Sequence, residues 1–338
     1  LPPATFLHAV QHALILRWHC GMSEGFSNRT IGFVLLLAVL CLSACRGKQE
    51  EPRPDHPQLA AGVKMVDVTF HSAALGRDMQ YRTVLPAQIA SDQKLPVLYL
   101  LHGGGGGFRD WSNYSDVARY AEHGLILVMP EGNSSYYTNS ADHSQDRYED
   151  YIVHDLIADV ERRFPALSGR TNRAIAGVSM GGFGAVVLAL KHSDLFIFAG
   201  GLSSALDVPS RPFSIKRVGQ WQHYRSIFGP LGSQSRKESD PYVLVRAADP
   251  VKVPYLFLTC GEQEGLLSAN KKFARMLQAR RFQYEFHTAP GGHDWNQWDR
   301  LLPDLMASVT EHLGKILLSA GGVKKEKDLH AFRPLIYG

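Results

Sequence analysis

The stretch Ala176–Gly184, A-G-V-S-M-G-G-F-G, sets one serine, Ser179, between a short β-type run (Arg173–Ala176) and an apolar helix-forming run (Phe183–Leu190). A chain that passes from a buried strand directly into a buried helix builds a parallel α/β sheet, because the helix must carry it back across the sheet face. Gly177 and Gly181 frame the serine as G-x-S-x-G. With this spacing a strained strand-to-helix turn can close and lift the hydroxyl above the sheet. An alcohol is a weak nucleophile until it is exposed, held against a base and set beside donors for an oxyanion. Ser179 is therefore the candidate nucleophile, and its partners must lie elsewhere in the chain.

The runs on either side keep the same alternation. Lys64–His71 and Asp78–Leu85 are β-rich and separated by the turn-like Ala74–Arg77, which predicts an antiparallel entry hairpin. Pro96–Leu101 is a continuous apolar run of the kind found in central parallel strands, and it ends in His102 and five glycines. Ile126–Met129, Phe196–Leu202, Pro254–Cys260 and Tyr284–Thr288 predict further strands. Tyr148–Phe164, Asn270–Arg280 and Trp295–Leu318 have helical periodicity. Ser203–Asp240 has no clear pattern and is expected to be irregular. The fold class is α/β, with a mostly parallel central sheet, helices on both faces and the entry hairpin at the start.

The N-terminal part points to export. The chain opens on Leu1, residues 1–21 match no assignable pattern, and Met22 is the expected start. Ile31–Leu42 is apolar but too short for a comfortable membrane span, so it is expected to be a secretory core. Leu42-Ser43-Ala44-Cys45 resembles a bacterial lipobox, which makes residues 22–44 a lipoprotein signal and Cys45 the lipidated residue. Residues 45–62 are polar and Pro-rich and are expected to be a tether, 63–318 form the domain, and 319–338 are a polar tail. The resulting location is the bacterial cell envelope, with the membrane contacted through Cys45. Only Cys260 remains in the domain, too few cysteines for a disulfide scaffold or a multi-cysteine zinc site. A net charge of +4, with no dense basic patch interleaved with aromatics, argues against nucleic acid as a partner. Composition leaves the oligomeric state open.

A nucleophile elbow needs a histidine and an acid later in the chain. His293, in Gly291-Gly292-His293-Asp294-Trp295, lies in a turn between a strand and the last helix, where this architecture delivers its base. For the acid, spacing alone leaves Glu262, Glu264 and Asp249 open. Trp111, Tyr136, Tyr137 and Trp298 are candidates to line a substrate subsite, and each could equally be plain packing.

Together these motifs carry a resemblance. Y-L-L-H-G-G (Tyr99–Gly104), D-W (Asp110-Trp111), M-P-E-G (Met129–Gly132), G-V-S-M-G-G-F-G (Gly177–Gly184), C-G-E-Q-E (Cys260–Glu264) and G-G-H-D-W-N-Q-W (Gly291–Trp298) make residues 64–318 similar to the esterase D / Putative esterase family of α/β hydrolases. That family includes S-formylglutathione hydrolases, feruloyl and acetyl-xylan esterases, enterochelin esterases and the antigen 85 mycolyltransferases. The resemblance implies an α/β-hydrolase fold and a serine carboxylesterase working through an acyl-enzyme on small or polysaccharide esters, with no metal or organic cofactor. It places the acid on Glu264, where relatives usually have Asp, and the oxyanion donors on the amides of Gly104 and Met180. An acyltransferase of the antigen 85 kind and an inactive carbohydrate- or siderophore-binding lipoprotein are the alternatives. Export argues against S-formylglutathione and towards esters met outside the cell.

Overall fold

The computed structural model describes residues 54–320, with side chains described through Leu313. Residues 1–21, the signal segment 22–44, Cys45, the tether up to residue 53 and the tail beyond residue 320 lie outside the described residues.

Eight strands form one sheet in the order β1-β2-β4-β3-β5-β6-β7-β8. They are β1 (Val63–Ser72), β2 (Arg77–Pro86), β3 (Val97–Leu101), β4 (Ile126–Pro130), β5 (Arg173–Val178), β6 (Phe198–Leu202), β7 (Tyr255–Gly261) and β8 (Tyr284–Ala289). β1 and β2 pair antiparallel as the expected hairpin, and β2 joins β4 antiparallel. Every other neighbour is parallel. β3 and β5 are buried at every position, as their unbroken apolar runs require of strands covered on both faces.

The helices are α1 (Asp110–Tyr114), α2 (Ile157–Arg163), α3 (Met180–Lys191), α4 (Val218–Phe228), α5 (Leu267–Ala279) and α6 (Trp295–Ala320), with the short helices Gln234–Glu238 and Pro241–Ala247 between α4 and β7. Side chains alternate across the sheet. Tyr99, Leu101, Ile175 and Leu258 point into the core beneath α2, α3 and α5. Leu98, Leu100, Ala176 and Phe257 point into the one beneath α6 and the 3-10 turn Val117–His123. The helix expected over 148–164 is present, but it is broken into Tyr148–Asp150, a π-helical turn Tyr151–Leu156, and α2.

Two expectations need correcting. Ser203–Asp240 is not irregular: it contains α4, whose Tyr224, Ile227 and Phe228 form a third core with Phe183 and Val187 of α3. Polar residues between those anchors hide the periodicity, so the helix rests on tertiary packing rather than on its own pattern. The described part of the expected tether is also held down. Asp55 pairs with the fully buried Arg82 at 2.7 Å, and the Gln58 amide donates to Ser112 O. A buried guanidinium must find counter-charges, and Asp55 and Asp67 supply them.

Candidate active site

Ser179 sits where β5 meets α3, with φ 56° and ψ −111°. This conformation is costly for a residue with a side chain and is tolerated here because the turn is fixed on every side. A Cβ on Gly177 would lie 2.4 Å from the Gly181 backbone, and one on Gly181 would lie 2.2 Å from Leu101 O. Both framing glycines are therefore required by close approach of backbone to backbone. The serine amide donates to Leu202 O, tying the turn to the end of β6.

His293 arrives from the loop between β8 and α6. Its Nε2 is 2.9 Å from Ser179 Oγ, and its Nδ1 is 2.7 Å from Glu264 Oε2. Glu264 follows β7 in a turn closed by its own amide on Gly261 O, and its carboxylate is fully shielded from solvent. The second carboxylate oxygen, Oε1, accepts from Ser203 Oγ at 2.5 Å and from the Gly261 amide at 2.8 Å. Glu262 instead points outward to Thr288 Oγ1. Asp249 pairs with Lys252 on the surface. Of the three candidate acids, only Glu264 reaches the histidine.

Ser203 has no motif in the sequence. It opens the loop after β6 with φ 50° and is fully buried. Besides donating to Glu264, its hydroxyl accepts from Trp298 Nε1 at 3.0 Å, and the Trp298 ring stands edge-on to His293 at 5.1 Å. The one available signal was its position at the carboxyl end of a parallel strand, where such sheets carry their sites.

The glycine loop after β3 borders the serine from the other side. A Cβ on Gly103 would lie 3.6 Å from that of Ser179, and one on Gly104 would lie 3.9 Å from that of Met180. The Met180 amide is the first of α3, and first-turn amides have no acceptor inside their helix. Sequence reasoning also missed Glu131, whose carboxylate accepts from the amides of Phe108, Gly132 and Asn133 and lies 3.3 Å from His102 Nε2. Burial favours its neutral form, but His102 and these amides outweigh burial and hold it below the usual carboxylate range.

The aromatic candidates divide. Trp111 is buried and donates its indole N–H to Leu101 O. Tyr137 is buried with its hydroxyl on His102 O. Neither offers a face to a substrate, because each fills the space beneath a tight loop. Trp298 lies under the histidine, 6% exposed. Tyr136 is half-buried among Phe183, Tyr224 and Phe228 and borders the segment 133–148. That segment and α4 border an open cleft of about 310 Å³, lined by side chains that include Arg77, Ser134, Ser140, His143 and His223 and by none of Ser179, His293 and Glu264.

A strained serine on a histidine, itself on a buried carboxylate, over a sheet with this strand order defines a serine hydrolase of the α/β-hydrolase class. The chain belongs to the Esterase family, described as Putative esterase, whose model matches residues 72–309. It is 24% identical over 269 residues to an acetyl esterase of Caldicellulosiruptor saccharolyticus, covering 75% of this chain and 99% of that one. Among solved structures it resembles FphF, a substrate-bound fluorophosphonate-binding serine hydrolase of Staphylococcus aureus, with a TM-score of 0.63 and 30% identity over 74% of this chain and 98% of that one. It also resembles a ferulic acid esterase, with a TM-score of 0.64 and 25% identity over 74% and 98% of the two chains.

Proposed function

We propose that Ser179 is the nucleophile, His293 the general base and Glu264 the orienting acid of an acyl-enzyme esterase whose substrates include carbohydrate-linked esters. The observation that carries this is the unbroken line from Ser179 Oγ through His293 to the buried Glu264 carboxylate. His293 Nε2 takes the hydroxyl proton as Oγ attacks the ester carbonyl, and the amides of Met180 and Gly104 receive the developing oxyanion. As the tetrahedral species collapses, the same proton passes to the departing alkoxide and leaves an acyl-serine. Water then attacks the acyl carbonyl and gives a proton to His293; collapse breaks the Ser179 Oγ–acyl bond, returns that proton to Oγ and releases the carboxylic acid. Glu264 holds Nδ1–H and stabilises the imidazolium without being protonated itself. The similarity to an acetyl esterase and to a ferulic acid esterase supports hydrolysis over transfer to a sugar hydroxyl.

The resemblance to a ferulic acid esterase supports the carbohydrate-linked class. Lipid anchoring at Cys45 in the cell envelope is part of the same proposal. Cys45→Ala should release the protein from membranes or block its maturation, and retention after a high-salt wash would refute the anchor. The site assignment is tested by fluorophosphonate labelling and nitrophenyl-ester turnover of the parent and Ser179→Ala. The variant should fold, escape labelling and lose on the order of a thousandfold or more in turnover. Equal turnover would refute it. Comparing acetylated xylan and feruloyl esters with short-chain nitrophenyl esters tests the substrate class separately.

A further inference from the structure

We propose that the segment around α4 is a docking surface for an anionic lipid bilayer. Residues 208–237 contain six basic side chains, Arg211, Lys216, Arg217, Arg225, Arg236 and Lys237, and no carboxylate, although the whole chain nets only +4. Two of the six are used internally: Arg211 pairs with Asp207 at 2.8 Å, and buried Arg236 donates to the carbonyls of Gly229, Pro209 and Tyr224. Among the described residues the other four, all exposed, form no ion pair.

Interleaved with these cations are apolar side chains standing in solvent. Phe213 is 54% exposed, Ile215 81% and Val218 38%. On α4 the buried Tyr224, Ile227 and Phe228 fix one side on α3. Val218 and Arg225, seven residues apart, share a flank of the helix beside those anchors. Trp221 borders that side, with Phe213 edge-on to its ring at 5.1 Å. Interfacial segments have this pattern, with aliphatic and aromatic groups to enter the acyl boundary and cations to meet lipid phosphates. An acidic protein would answer the charge, but it would need a pocket for each protruding side chain; a fluid anionic surface takes them without one. Among the described residues no helix is long and apolar enough to cross a membrane.

The test uses the full chain with vesicles of phosphatidylcholine carrying brominated acyl chains, with or without phosphatidylglycerol. The readout is the quenching lost on Trp221→Phe, which isolates this surface from any insertion by the apolar N-terminal run. Trp221-dependent quenching should appear on phosphatidylglycerol vesicles and fade at high salt as the Debye length contracts. The double variant Lys216→Glu/Arg217→Glu should weaken vesicle binding by at least about twentyfold, at about fivefold per cation. Circular dichroism checks that each variant is folded. Absence of Trp221-dependent quenching, or quenching equal on neutral vesicles and insensitive to the charge reversals, would overturn the proposal. Self-association abolished by Ile215→Glu, with no vesicle quenching, would assign the surface to a second copy of the chain and overturn it as well.

Discussion

Ser203 Oγ donates to Glu264 Oε1 at 2.5 Å, on the side of the carboxylate away from His293. With the Gly261 amide it occupies one oxygen fully and leaves the other aimed at the imidazole. A carboxylate free to rotate would present either oxygen at varying angles, so Ser203 positions the acid without touching substrate.

Ser203→Ala should therefore lower kcat about tenfold with little change in KM, and should cost about 1–3 kcal/mol in stability because the buried Trp298 N–H loses its acceptor. Urea denaturation and steady-state kinetics on one nitrophenyl ester read the two effects. A loss confined to stability would reduce Ser203 to a structural residue.

Glu264→Gln and Glu262→Gln are matched substitutions on one loop, and only one removes a charge from the histidine. The first leaves an amide at Nδ1, able to stabilise the wrong tautomer, a change that costs about ten thousandfold in the serine-protease case. The second alters an exposed contact to Thr288 and should leave turnover within a few-fold of the parent. The reverse ranking would contradict the assigned acid.

Gly181→Ala and Gly219→Ala test the steric argument with the same added methyl. At Gly181 it would meet Leu101 O at 2.2 Å, backbone against backbone, and no side chain can move to relieve it. At Gly219, in α4, nothing lies within 4 Å. The first should reduce soluble yield or unfold the turn and abolish turnover. The second should raise stability by up to about 1 kcal/mol, the propensity gain of alanine over glycine in a helix. Comparable thermal midpoints would mean that the turn is looser than the structure shows.

Alkaline stability follows from groups buried in their neutral form. Burial, reinforced by the Glu264 carboxylate, pushes the Cys260 thiol from 9.0 up to about 12. Burial likewise raises the hydroxyls of Tyr137 and Tyr151. Above about pH 9 the unfolded chain has released thiol protons that the folded chain keeps, so the unfolded state binds fewer protons and stability falls with rising pH. Thermal midpoints should decline from about pH 9 towards 12, and Cys260 should resist iodoacetamide at neutral pH until the protein is denatured. Rapid alkylation of the native protein would contradict this.

The strands, the serine and the histidine were legible in the sequence because each depends on local chemistry. An apolar run bounded by turn residues makes a central strand, and the glycines of G-V-S-M-G allow the strained strand-to-helix turn that lifts the serine. The acid was not legible from spacing, since Glu262 and Glu264 differ only in which side of a turn they face. That is decided by the return of the Glu264 amide to Gly261 O. Ser203 was invisible because its role depends on β6 lying beside β7, a fact of topology. Trp111 and Tyr137 were candidate subsite residues because aromatics near motifs look functional. The tight loops above them needed large side chains as filler, and composition does not separate the two uses.

The Ser179–His293 contact spans 114 positions of chain, and the Glu264–His293 contact spans 29. A polypeptide still being synthesised thus carries its hydroxyl without a base. Hydrolytic power is withheld until the loop before the last helix has docked, so a chain cut short anywhere upstream of residue 293 is chemically silent even if its elbow has already formed.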